Sequence, residues 1–279
     1  MSAKAQTGLL AAVALAGALG VPAAPAWGQQ HDADELAKQL ANPIADLSSI
    51  PFQFNWDNGV GADDAMRLVL NVQPVVPFRI TENTNLIGRF ILPFISQPSL
   101  GPGLEPAFGT SDIVLSMFFS PVRTKGGLTW GVGPVFSLPT TTDQRLGSGM
   151  WSFGPTAVLL KQTGPWTLGG LVNQLWSFAE TSDLPRDDVN QTFIQPFVAY
   201  GAGRGLTITV SSEATANWEA DEGDEWTVPL LVQVTKVTNI GPFPFSVGTG
   251  IGPYLESPSG GPEWRFRLLM VLILPNPRK

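Results

Sequence analysis

Charge is scarce in this chain and cysteine is missing. Only 14% of the 279 residues are charged, where a soluble domain carries roughly 25%. With no cysteine, disulfides, thiolate metal sites and cysteine nucleophiles are excluded. Histidine occurs once, as His31, so a Ser-His-Asp or Ser-His-Asn centre has one candidate imidazole, and it lies near the N-terminus, outside every strand candidate. No Gly-rich phosphate loop precedes a helix, and no histidine-based zinc spacing occurs. We therefore expect no enzyme, no cofactor and no metal site. The net charge of −7 argues against nucleic acid as a partner. Hydrophobic residues make up 43%, yet after residue 30 no run is long enough for a membrane-spanning helix.

What the chain has instead is a two-residue rhythm from about Ile50 to the C-terminus. Ile50, Phe52, Phe54 and Trp56 alternate with Pro51, Gln53, Asn55 and Asp57. Leu68, Leu70, Val72, Val76, Phe78 and Ile80 alternate with a set that includes Arg67, Asn71, Gln73 and Arg79. Leu206, Ile208, Val210, Ala214 and Ala216 oppose Thr207, Thr209, Ser211, Glu213, Thr215 and Asn217. Successive side chains of a strand point to opposite faces, so each segment has one oily and one wet face. Many such strands of transmembrane length predict an all-β fold, a transmembrane antiparallel β-barrel in an outer membrane.

The N-terminus predicts a removed secretory signal over residues 1–28. Lys4 gives a basic start, residues 8–21 are uncharged and apolar, and Ala24-Pro25-Ala26 offers small residues for cleavage after Ala26 or Gly28. Residues 29–48 lack the alternation. Leu36, Leu40, Ile44 and Leu47 recur at helical spacing, with Pro43 set to end or kink the helix. A periplasmic tether is the plainer expectation for this segment, and a helix that enters and narrows the barrel is the sharper one. The barrel then occupies residues 49–279.

About twelve strands are expected, at residues 50–57, 66–80, 85–96, 111–121, 127–138, 150–161, 165–178, 189–201, 205–218, 225–238, 243–255 and 263–274. Odd-numbered connections (58–65, 97–110, 140–149, 180–188, 219–224, 256–262) are long or acidic. The others (81–84, 122–126, 162–164, 202–204, 239–242) are mostly short. Outer-membrane barrels sort their connections in this way, long outside and short in the periplasm, which places both termini in the periplasm. Trp56, Trp130, Trp151, Trp166, Trp176, Trp218, Trp226 and Trp264 fall near strand ends, as interfacial girdles require. Pro74, Pro93, Pro134, Pro155, Pro196 and Pro229 fall inside strands and predict bulges or missing ladder bonds.

If the apolar face of each strand meets lipid, the lumen receives Arg67, Arg79, Arg89, Asp112, Lys161, Glu213, Arg265 and Arg267. Lumen charges either define a selectivity constriction or pair across the lumen and plug it. Arg265 and Arg267, which alternate with Trp264, Phe266 and Leu268, are the most securely inward. The constriction candidates are Arg67, Arg79, Arg89, Asp112, Glu213, Arg265 and Arg267. The acidic run 219–225 lacks the spacing of a calcium loop and is expected to be a solvated extracellular loop.

Four stretches resemble a known family: ELAKQLANPIADLSSIPFQFNWDNGVG (residues 35–61), NVQPVVPF (71–78), WGVGPVFSLPTTTD (130–143) and GPTAVLLKQTGPWTLGGLVNQLWSFA (154–179). They are similar to bacterial outer-membrane "transporter" barrels related to the barrel proteins of meta-cleavage phenol degradation. The resemblance implies a barrel that passes small molecules, aromatic ones among them, and carries no catalytic residues with it. The chain departs from a common barrel habit in ending Leu272-Ile273-Leu274 and then Pro275–Lys279 rather than on a terminal aromatic.

The expected function is passive diffusion of small solutes through a charged, constricted lumen. The alternative is a closed structural or binding barrel that acts through its acidic outer loops, and behind it stands a soluble exported β protein. Membrane lipid, a small solute and the barrel-assembly machinery are the expected partners.

Overall fold

The computed structural model describes residues 33–181, 187–241 and 243–274. The signal region, His31 and the last five residues lie outside them. Fifteen strands follow one short helix, α1 (Ala33–Leu40). They are β1 (Ser49–Val60), β2 (Ala65–Val72), β3 (Val75–Arg79), β4 (Thr84–Gln97), β5 (Ala107–Thr110), β6 (Ile113–Pro121), β7 (Leu128–Leu138) and β8 (Met150–Thr163). The rest are β9 (Trp166–Glu180), β10 (Asn190–Gly203), β11 (Leu206–Ser212), β12 (Ala214–Asn217), β13 (Trp226–Ile240), β14 (Phe243–Glu256) and β15 (Trp264–Ile273).

Three pairs are halves of one stave. β2 and β3 both lie between β1 and β4, β5 and β6 both continue along β4, and β11 and β12 both lie between β10 and β13. Every pairing is antiparallel, and β15 pairs with β1 from Ser49↔Ile273 to Asn58↔Trp264, which closes the ring. The result is a closed barrel of twelve staves. Closure removes the free sheet edge, so every stave has a ladder on both sides. The expected strands are present, and the connections at one rim are mostly longer than those at the other; the exception is the first, which shrinks to residues 61–64 because β1 runs on to Val60. The one displaced start is the fourth stave, which begins at Ala107 rather than 111 and shortens the loop before it.

The prolines act in two ways. Pro74 falls in the break between β2 and β3, and Pro229 sits at a register shift against β14. Pro134 and Pro155 instead face each other across β7 and β8. The bonds they cannot donate are missing on their outer flanks. The β6–β7 ladder stops at Ser116↔Val135 and resumes at Phe119↔Val132, and the β8–β9 ladder stops at Phe153↔Trp176 and resumes at Thr156↔Asn173.

The outer face is apolar and open: Phe90, Trp130, Val132, Phe153, Leu159, Leu168, Val172, Val232, Ile251 and Phe266 are all exposed. In water such a surface would drive aggregation; in a bilayer it is the lipid-facing band. Tryptophan lies at both rims of the band. Trp130 and Trp166 mark the rim with the short turns, and Trp56, Trp151, Trp176, Trp218, Trp226 and Trp264 mark the other. Among the described residues no helix is long and apolar enough to cross a membrane.

Candidate functional site: the lumen

Register alone brings the first group of charges together. On the inward face, Asp57 of β1 stands directly opposite Arg265 of β15 on one side and Arg67 of β2 on the other, and Asn55 stands opposite Arg267. Asp57 Oδ1 accepts Arg265 Nε at 2.7 Å and Oδ2 accepts Arg265 Nη2 at 3.1 Å. Arg67 Nη2 reaches Asp57 Oδ2 at 3.2 Å, and the Tyr254 hydroxyl donates to Oδ1 at 2.8 Å. Arg265 also lies over the Tyr254 ring, 5.3 Å from its centroid, in cation–π range. The Asp57 side chain is 0% exposed, so all of its hydrogen-bonding capacity is met by protein.

Glu213 extends the network across the lumen. It occupies the break between β11 and β12, three staves from β15. Its carboxylate takes Arg267 Nη1 at 2.8 Å and Nη2 at 2.6 Å, a bidentate pairing. Arg265 Nη1 adds a contact at 3.3 Å. Arg267 Nε donates to Asn55 Oδ1 at 2.6 Å. Two inward positions of β14, Gly252 and Gly250, face Arg265 and Arg267. With no side chain there, nothing on β14 stands between the arginines and Glu213.

Arg89 of β4 sits beside this network and not in it. Its Nη2 donates to Gln73 Oε1 at 2.9 Å, and Gln73 Nε2 donates to Gln53 Oε1 at 2.7 Å. No carboxylate among the described residues lies within ion-pair distance of Arg89. Arg89, Gln53, Gln73, Glu213 and Arg267 line a cavity of about 210 Å3 together with Phe197, Val75, Leu47 and Val271.

The opposite wall is dry. Ile87, Phe118, Val158, Leu160 and Leu171 all point inward and are buried with Ile44, and Phe193 and Phe197 pack against them. Phe118 is 0% exposed. Ile44 arrives from the N-terminal segment, and Gly131 makes room for it: a Cβ at Gly131 would stand 3.1 Å from Ile44 Cδ1.

Through Ile44 the N-terminal segment packs on inward-facing side chains of the staves. Asp34 and Glu35 in the first turn of α1 and Lys38 in the last suit the helix dipole. Leu36 and Ala37 bury against Val237 and Ile273, with Leu40 and Leu47 packed alongside. The helix stops before Pro43, where the Asn42 side chain accepts the Ile44 amide at 3.0 Å. The Asp34 carboxylate accepts the amide of Gly205 in the β10–β11 turn, and Gln162 donates to the Lys38 carbonyl at 2.9 Å. A second cleft, about 310 Å3, lies between α1 and the turns at Gly164 and Gly203.

Of the seven constriction candidates, Arg67, Glu213, Arg265 and Arg267 share the network and Arg89 borders it. Arg79 has the inward parity but is exposed at the end of β3, at the short-turn rim. Asp112 sits at the opposite end and holds a loop. Its carboxylate accepts the Thr141 amide at 3.3 Å and the Ser148 amide and hydroxyl at 2.6 and 2.8 Å. Lys161 does not face the lumen: it shares the exposed parity of Trp151, Phe153 and Leu159, and near the strand end a lysine reaches the headgroup region along its own stem. Asp57, Asn55, Gln53 and Gln73 were missed as site residues, although each belongs to the wet set of its strand. The acidic run is a clasp as well as a charged loop, since Asp224 accepts the Ser259 amide and hydroxyl at 2.8 and 3.0 Å.

Comparison with solved structures places the fold. A "COG4313 outer membrane channel from Pseudomonas putida F1" superposes with a TM-score of 0.59 at 17% identity, covering 82% of this chain and 94% of that one. The NanC porin superposes with a TM-score of 0.53 at 9% identity, covering 82% and 100%. At these identities the likeness is one of fold: that of outer-membrane β-barrel channels. No family model matches the sequence, and no curated protein matches it.

Proposed function

We propose that the chain is an outer-membrane channel through which small solutes diffuse without an energy source. In this reading residues 1–28 are a removed signal, residues 29–48 enter the lumen from the periplasm, and residues 49–279 form the barrel. Asp57, Arg67, Arg89, Glu213, Arg265 and Arg267 form the constriction, with Arg79 at the periplasmic mouth and Asp112 shaping the outer loops. Supporting it are the lipid-compatible outer face and the fold shared with a known channel and a known porin. The observation that carries it is the cavity between the N-terminal segment and the arginine wall, which keeps space open inside the barrel. A barrel of twelve staves is largely filled by its own side chains, so passage is selective and slow compared with a wide porin.

The full pairing of Asp57 and Glu213 favours a second reading, a barrel sealed at rest that works through its acidic outer loops. Recording in planar bilayers with protein that migrates differently on gels before and after boiling separates the two. Discrete conductance steps support the channel; a folded protein that gives none overturns it in favour of the sealed barrel.

A further inference from the structure

At the level of the arginine network the lumen carries more positive than negative charge. Arg67, Arg89, Arg265 and Arg267 face Asp57 and Glu213, and both carboxylates are already engaged by other arginines: Asp57 by Arg67 and Arg265, Glu213 by Arg265 and Arg267. Arg89 is left with an amide oxygen, Gln73 Oε1, as its hydrogen-bond partner. A guanidinium offers five donors and no acceptor, and the carboxylate whose charge reaches Arg89, Glu213, is hydrogen-bonded by two other arginines instead, so the donors of Arg89 are only partly met. The side chain borders the cavity of about 210 Å3, so its remaining donors have a space in which a ligand can meet them.

That cavity also has an apolar lining. Val75 flanks Arg89 on the neighbouring strand, Leu47 and Phe197 complete it, and Phe197 continues into the dry wall built on Phe118, Val158, Leu160 and Leu171. A solute that satisfies both has a single negative head and a compact apolar body. Carboxylate geometry matches the guanidinium fork, in which two parallel N–H donors reach two oxygens.

We propose that this cavity is a subsite for small organic monocarboxylates with an apolar ring or short chain, the carboxylate held by Arg89 and the body resting on Phe197. The site deepens the channel reading by naming its solute class. Its occupant bridges the charged and apolar halves of the wall, which no pure ion and no neutral hydrocarbon does.

Benzoate, benzyl alcohol and benzylamine are the probes, titrated calorimetrically into the full folded protein in detergent. Benzoate is expected to bind about tenfold more tightly than benzyl alcohol, the worth of one charge-assisted hydrogen bond, with benzylamine weakest. Arg89→Gln brings benzoate and benzyl alcohol level, and Arg79→Gln, at the rim, leaves the preference intact. Phe197→Ala weakens benzoate more than acetate. Equal binding of benzoate and benzyl alcohol by the wild-type protein, or tightest binding of benzylamine, overturns the proposal whether or not the Arg89 variant folds. So does a folded Arg89→Gln protein that keeps the preference. Binding is read without conduction, so a barrel that takes benzoate and gives no conductance steps keeps the subsite and loses the channel, and a conducting barrel indifferent to benzoate does the reverse.

Discussion

The two halves of the lumen wall solve the same problem with opposite chemistry. On one half, β1, β2, β15 and the break at Glu213 bring charges together in rows. Each carboxylate there is held by two arginines, and Asp57 is 0% exposed. On the other, β4, β6, β8 and β9 turn Ile87, Phe118, Val158, Leu160 and Leu171 inward onto Ile44. The outer face is apolar around both. Lipid thus dictates one face of every stave, and the interior is free to be wet or dry. Staves that are apolar on both faces mark where something dry, here Ile44 of the N-terminal segment, occupies the lumen.

The comparison breaks most severely at Asp57. Asp57→Ala removes the partner of two arginines in a site the solvent does not reach, and breaking a buried pair in this way costs about 3–5 kcal/mol. Reversible urea unfolding from detergent should show that loss, and the unheated gel form should vanish at lower temperature. A cost under about 1 kcal/mol would mean that Arg67 and Arg265 are well hydrated, and the charged half would then be a wet channel wall instead of a strap.

A smaller effect tests the dry half. Ile44→Ala removes an apolar side chain from a buried cluster. Such truncations cost about 2–5 kcal/mol in a closed core, and the low end is expected here because the segment that carries Ile44 can shift. The more telling readout is conduction. Loosening the segment should raise single-channel conductance and leave ion selectivity unchanged, because the arginines stay in place. A change of selectivity with no change of conductance would put the narrowest point at the arginine network and away from the segment.

The sequence made the wet half far more legible than the dry one. Strand identity and closure into about twelve staves follow from the period-two pattern, which a lipid-facing surface enforces along the chain. Arg265 and Arg267 could be placed inward because they alternate with Trp264, Phe266 and Leu268. Their partners could not be named, since Asp57↔Arg265 is a matter of register between β1 and β15, set by closure of the ring across 208 residues. Lys161 was misplaced for a local reason: β8 is apolar on both faces at Val158, Leu159 and Leu160, so alternation lost its phase two residues before the lysine. The inward route of residues 41–48 left no local signal. Leu36, Leu40, Ile44 and Leu47 look like one helical stripe, but the helix ends at Leu40 and the stripe divides between two clusters.

The mildest test sets the buried pair of Asp57 and Arg265 against an exposed pair of the same chemistry. In the loop between β7 and β8, Arg145 holds Asp143 through Nε at 3.0 Å and Nη2 at 2.6 Å, and its Nη1 donates to the Glu105 carbonyl at 2.6 Å. These hydrogen bonds from Arg145 lower the Asp143 pKa from 3.8 to about 2. A carboxylate depressed in the folded state stabilises above its ordinary value, and that contribution fades as pH falls through 3.8 toward about 2. Both partners are open to water, so screening leaves little effect on the barrel as a whole. Hydrogen exchange of residues 143–146, where the Arg145 amide donates to Asp143 Oδ1 at 3.0 Å, should therefore be flat from pH 7 down to about 4 once the intrinsic pH dependence is removed, and should quicken below that while the strands stay protected. Arg145→Gln should quicken residues 143–146 at every pH and leave Thr141 and Ser148 held by Asp112. Quickening of residues 143–146 near pH 5 would instead mean that a carboxylate other than Asp143 holds this part of the loop.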